Sequence, residues 1–196
     1  MLRRQNFRAN IYWIFRVINI GEFCLQMNLE LNKQEVKDLL DEKKIRRIAK
    51  YFPNLINNHC KIIHPLSRHY NCISWTVNDQ KKWWWPDQDR LHYWPDEAIR
   101  DESIEAFIQF YGLMGYVVCE NGSTEEEFEK ISIYIVNGKP IHAARQLNNG
   151  KWSSKIGGFE VIEHTLEALT GSEFGVTLKK LLILGVVVGI KVFRIF

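Results

Sequence analysis

The dipeptide Asn137-Gly138 constrains this chain more than any other feature. A two-residue type I′ turn needs positive φ at both central positions, and Asn-Gly is the pair that supplies it most readily. Before it, Ile131, Ile133 and Ile135 alternate with Ser132, Tyr134 and Val136. Such a period of two predicts a half-buried strand. The return strand is expected over about Lys139–Leu147, and Asn148-Asn149-Gly150 marks a second turn into Lys151–Lys155. The fold class that follows is α+β, with a three-stranded antiparallel meander over about residues 128–157 and helices packed on it.

The second turn sets the register. A three-residue loop pairs Ala144 with Ser154 and brings Ser154 onto the face of His142. A two-residue loop pairs Gln146 with Ser153 and puts Ser153 there instead. Glycine suits the left-handed position of the longer loop, which is preferred.

Helical spacing appears in two places. Asn32, with Glu35 three residues on, reads as a capping box, followed by Val36, Leu39, Leu40, Ile45, Ile48 and Ala49 until Pro53. A second helix is expected over about 101–114, where Ile104, Phe107, Ile108 and Tyr111 recur at three and four and Gly115 follows. Tyr116–Cys119 reads as a strand, and Glu160–Leu169 as a final helix carrying His164. A chain of 196 residues supports one core. Residues 1–28 read as an extension, 29–180 as a single α+β domain, and 181–196 as an apolar tail or buried strand. That tail is shorter than the roughly 20 residues of a spanning helix, so membrane attachment is not expected. The net charge of +3 is too small to argue for nucleic acid. Four cysteines without a C-x-x-C pair point to reduced thiols and a cytoplasmic protein.

Chemistry-bearing residues are few. Cys72 lies where a short helix is expected to begin, and a helix N-terminus favours the nucleophilic thiolate. His142 sits on the middle strand beside Ala143 and Ala144, small residues that let another element approach. An imidazole there would hold a thiolate and later protonate a leaving amine. Trp83-Trp84-Trp85-Pro86-Asp87 and Tyr93-Trp94-Pro95 form an aromatic segment too rich for all of it to face one core. Such rings suit peptides and sugars. Arg145, Lys151 and Lys155 add positive charge to the meander. His59, His64 and His69 recur at five, which fits no usual ligand spacing, so neither metal nor cofactor is expected.

The strings Phe52-Pro53-Asn54, Tyr70-Asn71-Cys72-Ile73-Ser74-Trp75, Trp83-Trp84-Trp85-Pro86-Asp87, Tyr93-Trp94-Pro95, Phe128-Glu129-Lys130-Ile131, His142-Ala143-Ala144-Arg145-Gln146-Leu147 and Gly150-Lys151-Trp152-Ser153-Ser154-Lys155 together resemble an uncharacterised bacterial domain family. The resemblance covers about residues 52–180 and brings no activity with it. More distantly, the layout is similar to the NlpC-type papain-like amidases. That resemblance implies Cys72 as nucleophile, His142 as base and Ser154 as orienting residue. A competing alignment puts Lys130 at the histidine position and His142 third. Two functions follow as expectations. One is a thiol hydrolase or acyltransferase acting on amide bonds through Cys72, His142 and Ser154. The other is a binding module that holds a peptide, glycan or protein with Trp83, Trp84, Trp85, Trp94, Arg145 and Lys155.

Overall fold

A computed structural model describes residues 6–58, 60–170 and 180–187. The chain divides into two compact units, Met1–Lys44 and Ile45–Phe196. Helix α1 spans Asn6–Ala49 without interruption, so the expected start at Asn32 and the boundary drawn near residue 28 both fall inside it. A cap residue permits a helix to start but does not forbid it to continue, and Leu25–Leu31 contains no breaker. In the first unit, Leu25, Leu29, Val36 and Leu39 are exposed. The helix ends before Pro53, which opens a single 3-10 turn over Pro53–Asn57.

The second unit is built on an antiparallel sheet. Its strands are β1 (Lys61–His64), β2 (Val117–Cys119), β3 (Phe128–Val136), β4 (Lys139–Gln146), β5 (Trp152–Lys155), β6 (Val161–His164) and β7 (Lys180–Val187). They lie in the order β1-β6-β5-β4-β3-β7-β2. The expected meander is its centre, but among the described residues the sheet has seven strands and not three. The apolar run after Lys180 enters it as β7, between β3 and β2. Residues 188–196 lie outside the described residues.

Both turns follow the sequence chemistry. Asn137 and Gly138 have φ of +50° and +81°. Leu147 and Lys151 pair across the second turn, through a 2.7 Å bond from the Leu147 N–H to the Lys151 carbonyl. Asn148-Asn149-Gly150 is therefore the three-residue loop, with Gly150 at φ +80°.

Two expectations need correction. Glu160–Leu169 is not a helix: Val161–His164 is β6, paired with β5 and β1, and only Leu166–Leu169 turns as 3-10. A short apolar run fits both periods, and the two open strand edges decided. Nor is β3 half-buried, because residues Lys130–Ile135 are buried on both faces. Ile131, Ile133, Ile135 and Ala143 pack against Phe107, Phe110 and Tyr111 of α3 (Ile104–Leu113). On the opposite face Tyr134, Ala144, Trp152 and Ile162 pack against Ile48, Leu55 and Leu169. Tyr134 tolerates that interior because its hydroxyl donates to the Leu166 carbonyl at 2.9 Å.

Candidate functional site

Helix α2 (Cys72–Thr76) is one turn long and owes its start to Asn71. The Asn71 side chain accepts from the Ser74 N–H at 3.1 Å, and the Ser74 hydroxyl accepts from the Asn71 N–H at 2.9 Å. This reciprocal cap fixes Cys72 as the first helical residue. The same amide donates to the Trp84 carbonyl at 2.8 Å, which ties the tryptophan segment to α2.

The β4–β5 ladder has only two pairs, Arg145↔Ser153 and Gln146↔Trp152. Beyond them the strands fork. Lys155 lies where they part: its buried ammonium donates to the carbonyls of Ser67, Gly157 and Phe159 at 2.7, 2.6 and 2.5 Å. The chain therefore curls into a turn after β5, closed by the Ile156 N–H on the Glu160 carbonyl at 3.1 Å.

A cavity of about 500 Å³ occupies the fork. Ile141 and His142 of β4 form one side, and Ile156, Gly157 and Phe159 the other. Asn71 and Cys72 enter from α2, Trp83, Trp85 and His92 from the tryptophan segment, and Tyr51 and Phe52 from the chain after α1. Seven of these side chains are rings, and none is Lys, Arg, Asp or Glu.

Cys72 and His142 thus line one cavity, but they reach it from opposite faces of the sheet. Neighbouring strand residues point to opposite faces. Cys72 packs with Ala143, whereas the His142 ring lies 5.7 Å from Tyr134 and 6.1 Å from Phe52. Burial pushes the Cys72 thiol up to about 11, against the amides of Ala143, Ile73 and Cys72 and the charge of Lys155, which pull it down. Burial also drives His142 down to about 3, with His164 adding to the effect, so the ring is neutral at pH 7. Its Nε2 is buried with no hydrogen-bond partner among the described residues.

Ser154 is turned toward a different histidine. Its hydroxyl lies 2.5 Å from His164 Nε2, and His164 Nδ1 lies 2.7 Å from the Thr165 carbonyl. A carbonyl only accepts, so Nδ1 carries the proton and Nε2 accepts from Ser154. Lys130, the competing candidate for the base, is buried and bonded to the carbonyls of Asn121 and Ser123 and to Glu125.

The remaining expected site residues separate into two groups. Trp83 and Trp85 line the cavity, with their N–H groups donating outward to the Arg68 carbonyl at 2.7 Å and Glu102 at 2.8 Å. Trp84 and Trp94 pack on Phe110 instead. Arg145 lies 4.0 Å over the Trp75 ring, bonds to Asn78, and borders a separate polar cavity of about 1170 Å³ with Glu125–Lys130. Lys155 has no exposed surface. Among the described residues no His, Cys, Asp and Glu side chains cluster as metal ligands. His59 lies outside them. No described helix is long and apolar enough to cross a membrane.

Sequence reasoning missed Phe52, His92, Ile141, Ile156 and Phe159 as cavity residues. Phe52 opens one motif already singled out and Ile156 follows another, and only the fork brings them together.

Fold and site define an α+β domain with an aromatic cavity where its central antiparallel strands part. A family model for a domain of unknown function (DUF7689) matches residues 61–181. The chain belongs to that family. No curated protein and no solved structure matches it.

The Cys72 environment carries a direct expectation. With a thiol at about 11, about one molecule in ten thousand holds thiolate at pH 7. Alkylation of Cys72 in the folded protein should be slow at pH 7 and rise about tenfold per pH unit to pH 9. Mass-spectrometric labelling with iodoacetamide measures it. A fast, pH-independent reaction at Cys72 would contradict the buried thiol.

Proposed function

We propose that this domain is a binding module whose cavity receives an uncharged, largely apolar group, either part of a small ligand or a side chain. The observation that carries this reading is the cavity's wall: seven rings and no Lys, Arg, Asp or Glu. A charged occupant would lose its hydration there without gaining a counter-ion, whereas a neutral ring gains contact on several faces. Asn71 and the two lining tryptophans spend their polar groups elsewhere. The walls therefore present π faces and aliphatic carbon. Among the described residues that line the cavity, His142 alone has a buried polar atom without a partner, its Nε2.

The test uses indole as a neutral ring, titrated into the full chain by calorimetry. Ile141 lines the cavity and is 47% exposed, so a larger side chain fits there without disturbing the core. Ile141→Trp should fill the space and weaken indole binding by about tenfold or more. Wild-type protein that binds neither indole nor naphthalene at millimolar concentration would end this reading.

A second reading draws on the shared cavity of Cys72 and His142, with three backbone amides favouring the thiolate. In it the Cys72 sulfur attacks an amide carbonyl to form a thioester. The imidazole takes the thiol proton during the attack and gives it to the departing amine, and water then hydrolyses the thioester, returning the thiol and releasing the acid. One rapidly labelled thiol at neutral pH, lost in Cys72→Ala, would favour it over simple binding.

A further inference from the structure

The wall formed by Trp83 and His92 belongs to two spaces at once. On one side it closes the aromatic cavity. On the other it borders an open groove with Lys82, Leu91 and Tyr93. The two rings lie 5.8 Å apart and are inclined by 32°. Each is held from behind: Trp83 donates to the Arg68 carbonyl, and His92 Nδ1 lies 3.0 Å from Asp87. The separation between cavity and groove is therefore a layer of two tethered rings.

Among the described residues lining that groove, Lys82 is the only Lys, Arg, Asp or Glu. Its ammonium lies 3.2 Å from the centre of the Tyr93 ring and 5.5 Å from that of Trp84. No carboxylate pairs with it among the described residues, whereas Lys33, Lys44, Lys130 and Lys151 each have one. Ring faces hold the cation in place without the short carboxylate contact of an ion pair. A cavity lined by no Lys, Arg, Asp or Glu and a groove carrying Lys82 thus share one wall.

Resting on the cavity reading above, we infer that the ligand is amphiphilic: an apolar ring in the cavity, joined by a short linker to an anion that pairs with Lys82. The linker passes the edge of the Trp83–His92 layer. The anion stays at the surface, where it keeps most of its hydration, so it escapes the penalty that excludes charge from the cavity. The pairing adds selectivity more than affinity, as exposed ion pairs do.

The experiment compares indole with indole-3-acetate, indole-3-propionate and indole-3-butyrate, and each acid with its neutral amide. The best acid should bind the wild-type protein roughly three- to fivefold more tightly than its amide at low salt. That advantage should vanish in Lys82→Gln and shrink in 0.5 M sodium chloride, while indole itself binds both proteins equally. Acids that bind no better than their amides, or an advantage that survives Lys82→Gln, would overturn the amphiphile and leave the cavity reading intact. Failure of indole itself would overturn both.

Discussion

Lowering the pH from 7 toward 4 is expected to unfold the second unit, through two histidines that the fold keeps neutral. His142 is driven down to about 3 and His164 to about 4, in both cases chiefly by burial. In the unfolded chain both titrate near 6.5. Between these values the unfolded state binds more protons than the folded one. The stability they contribute is therefore complete above about pH 6.5 and is lost as the pH falls through the window. At about 1.4 kcal/mol per pH unit, the whole window is on the order of 5 kcal/mol for His142 and on the order of 3 kcal/mol for His164. A domain of ordinary stability has only about 5–15 kcal/mol to lose. Urea midpoints followed by circular dichroism at pH 7.5, 6 and 5 measure the effect. His142→Phe separates it from carboxylate titration, because it keeps a ring and deletes the unpartnered nitrogen. That variant should gain about 1–2 kcal/mol at pH 7 and lose much of the acid dependence. A midpoint unchanged between pH 7.5 and 5 in the wild-type protein would refute the buried neutral pair.

Replacing Lys155 should be the most damaging single change in the second unit. Its ammonium is fully buried and gives its three donors to the Ser67, Gly157 and Phe159 carbonyls, with the Tyr70 ring 5.1 Å away. Lys155→Ala leaves three carbonyls without a donor and a void where the stem lay. A loss of about 4 kcal/mol is expected, since each unsatisfied buried acceptor costs about 1–3 kcal/mol. Lys155→Met keeps the stem and removes the cost of burying a charge, so about 2 kcal/mol is expected for it. Because the turn after β5 makes one wall of the cavity, both variants should also lose indole binding. Denaturation midpoints placing Lys155→Ala within 1 kcal/mol of the wild-type protein would show that the turn stands without its lysine.

Lys155 also illustrates what a sequence hides. Read in isolation, a lysine at the end of a strand is a surface charge, and contact with a peptide, glycan or protein ligand is the expectation for it. Its donors satisfy carbonyls from Ser67, 88 positions away, as well as from its own turn. No local pattern announces such a partner. His164 was placed on a helix for a related reason. Val161, Ile162 and Leu166 fit either period, and the sheet edges that claimed Val161–His164 are β1 and β5. The expectation for Ser154 was to pair with Ala144 and orient His142; the three-residue loop forms, but the ladder stops at Arg145↔Ser153. The Ser154 hydroxyl meets His164 because β6 lies beside β5.

The sequence by itself determined the local elements whose geometry is written in a few adjacent residues. Asn137-Gly138 turned one hairpin, Gly150 set the next register, Asn71 with Ser74 started α2 at Cys72, and Ser103 with Gly115 bounded α3. Each rests on a dihedral preference or a cap that acts over four residues or fewer. Tertiary structure alone decided the seven-strand order, the fork between β4 and β5, and the faces from which Cys72 and His142 approach the cavity. Those depend on which distant groups satisfy one another once water is excluded, and burial energies depend on the whole neighbourhood, not on sequence spacing.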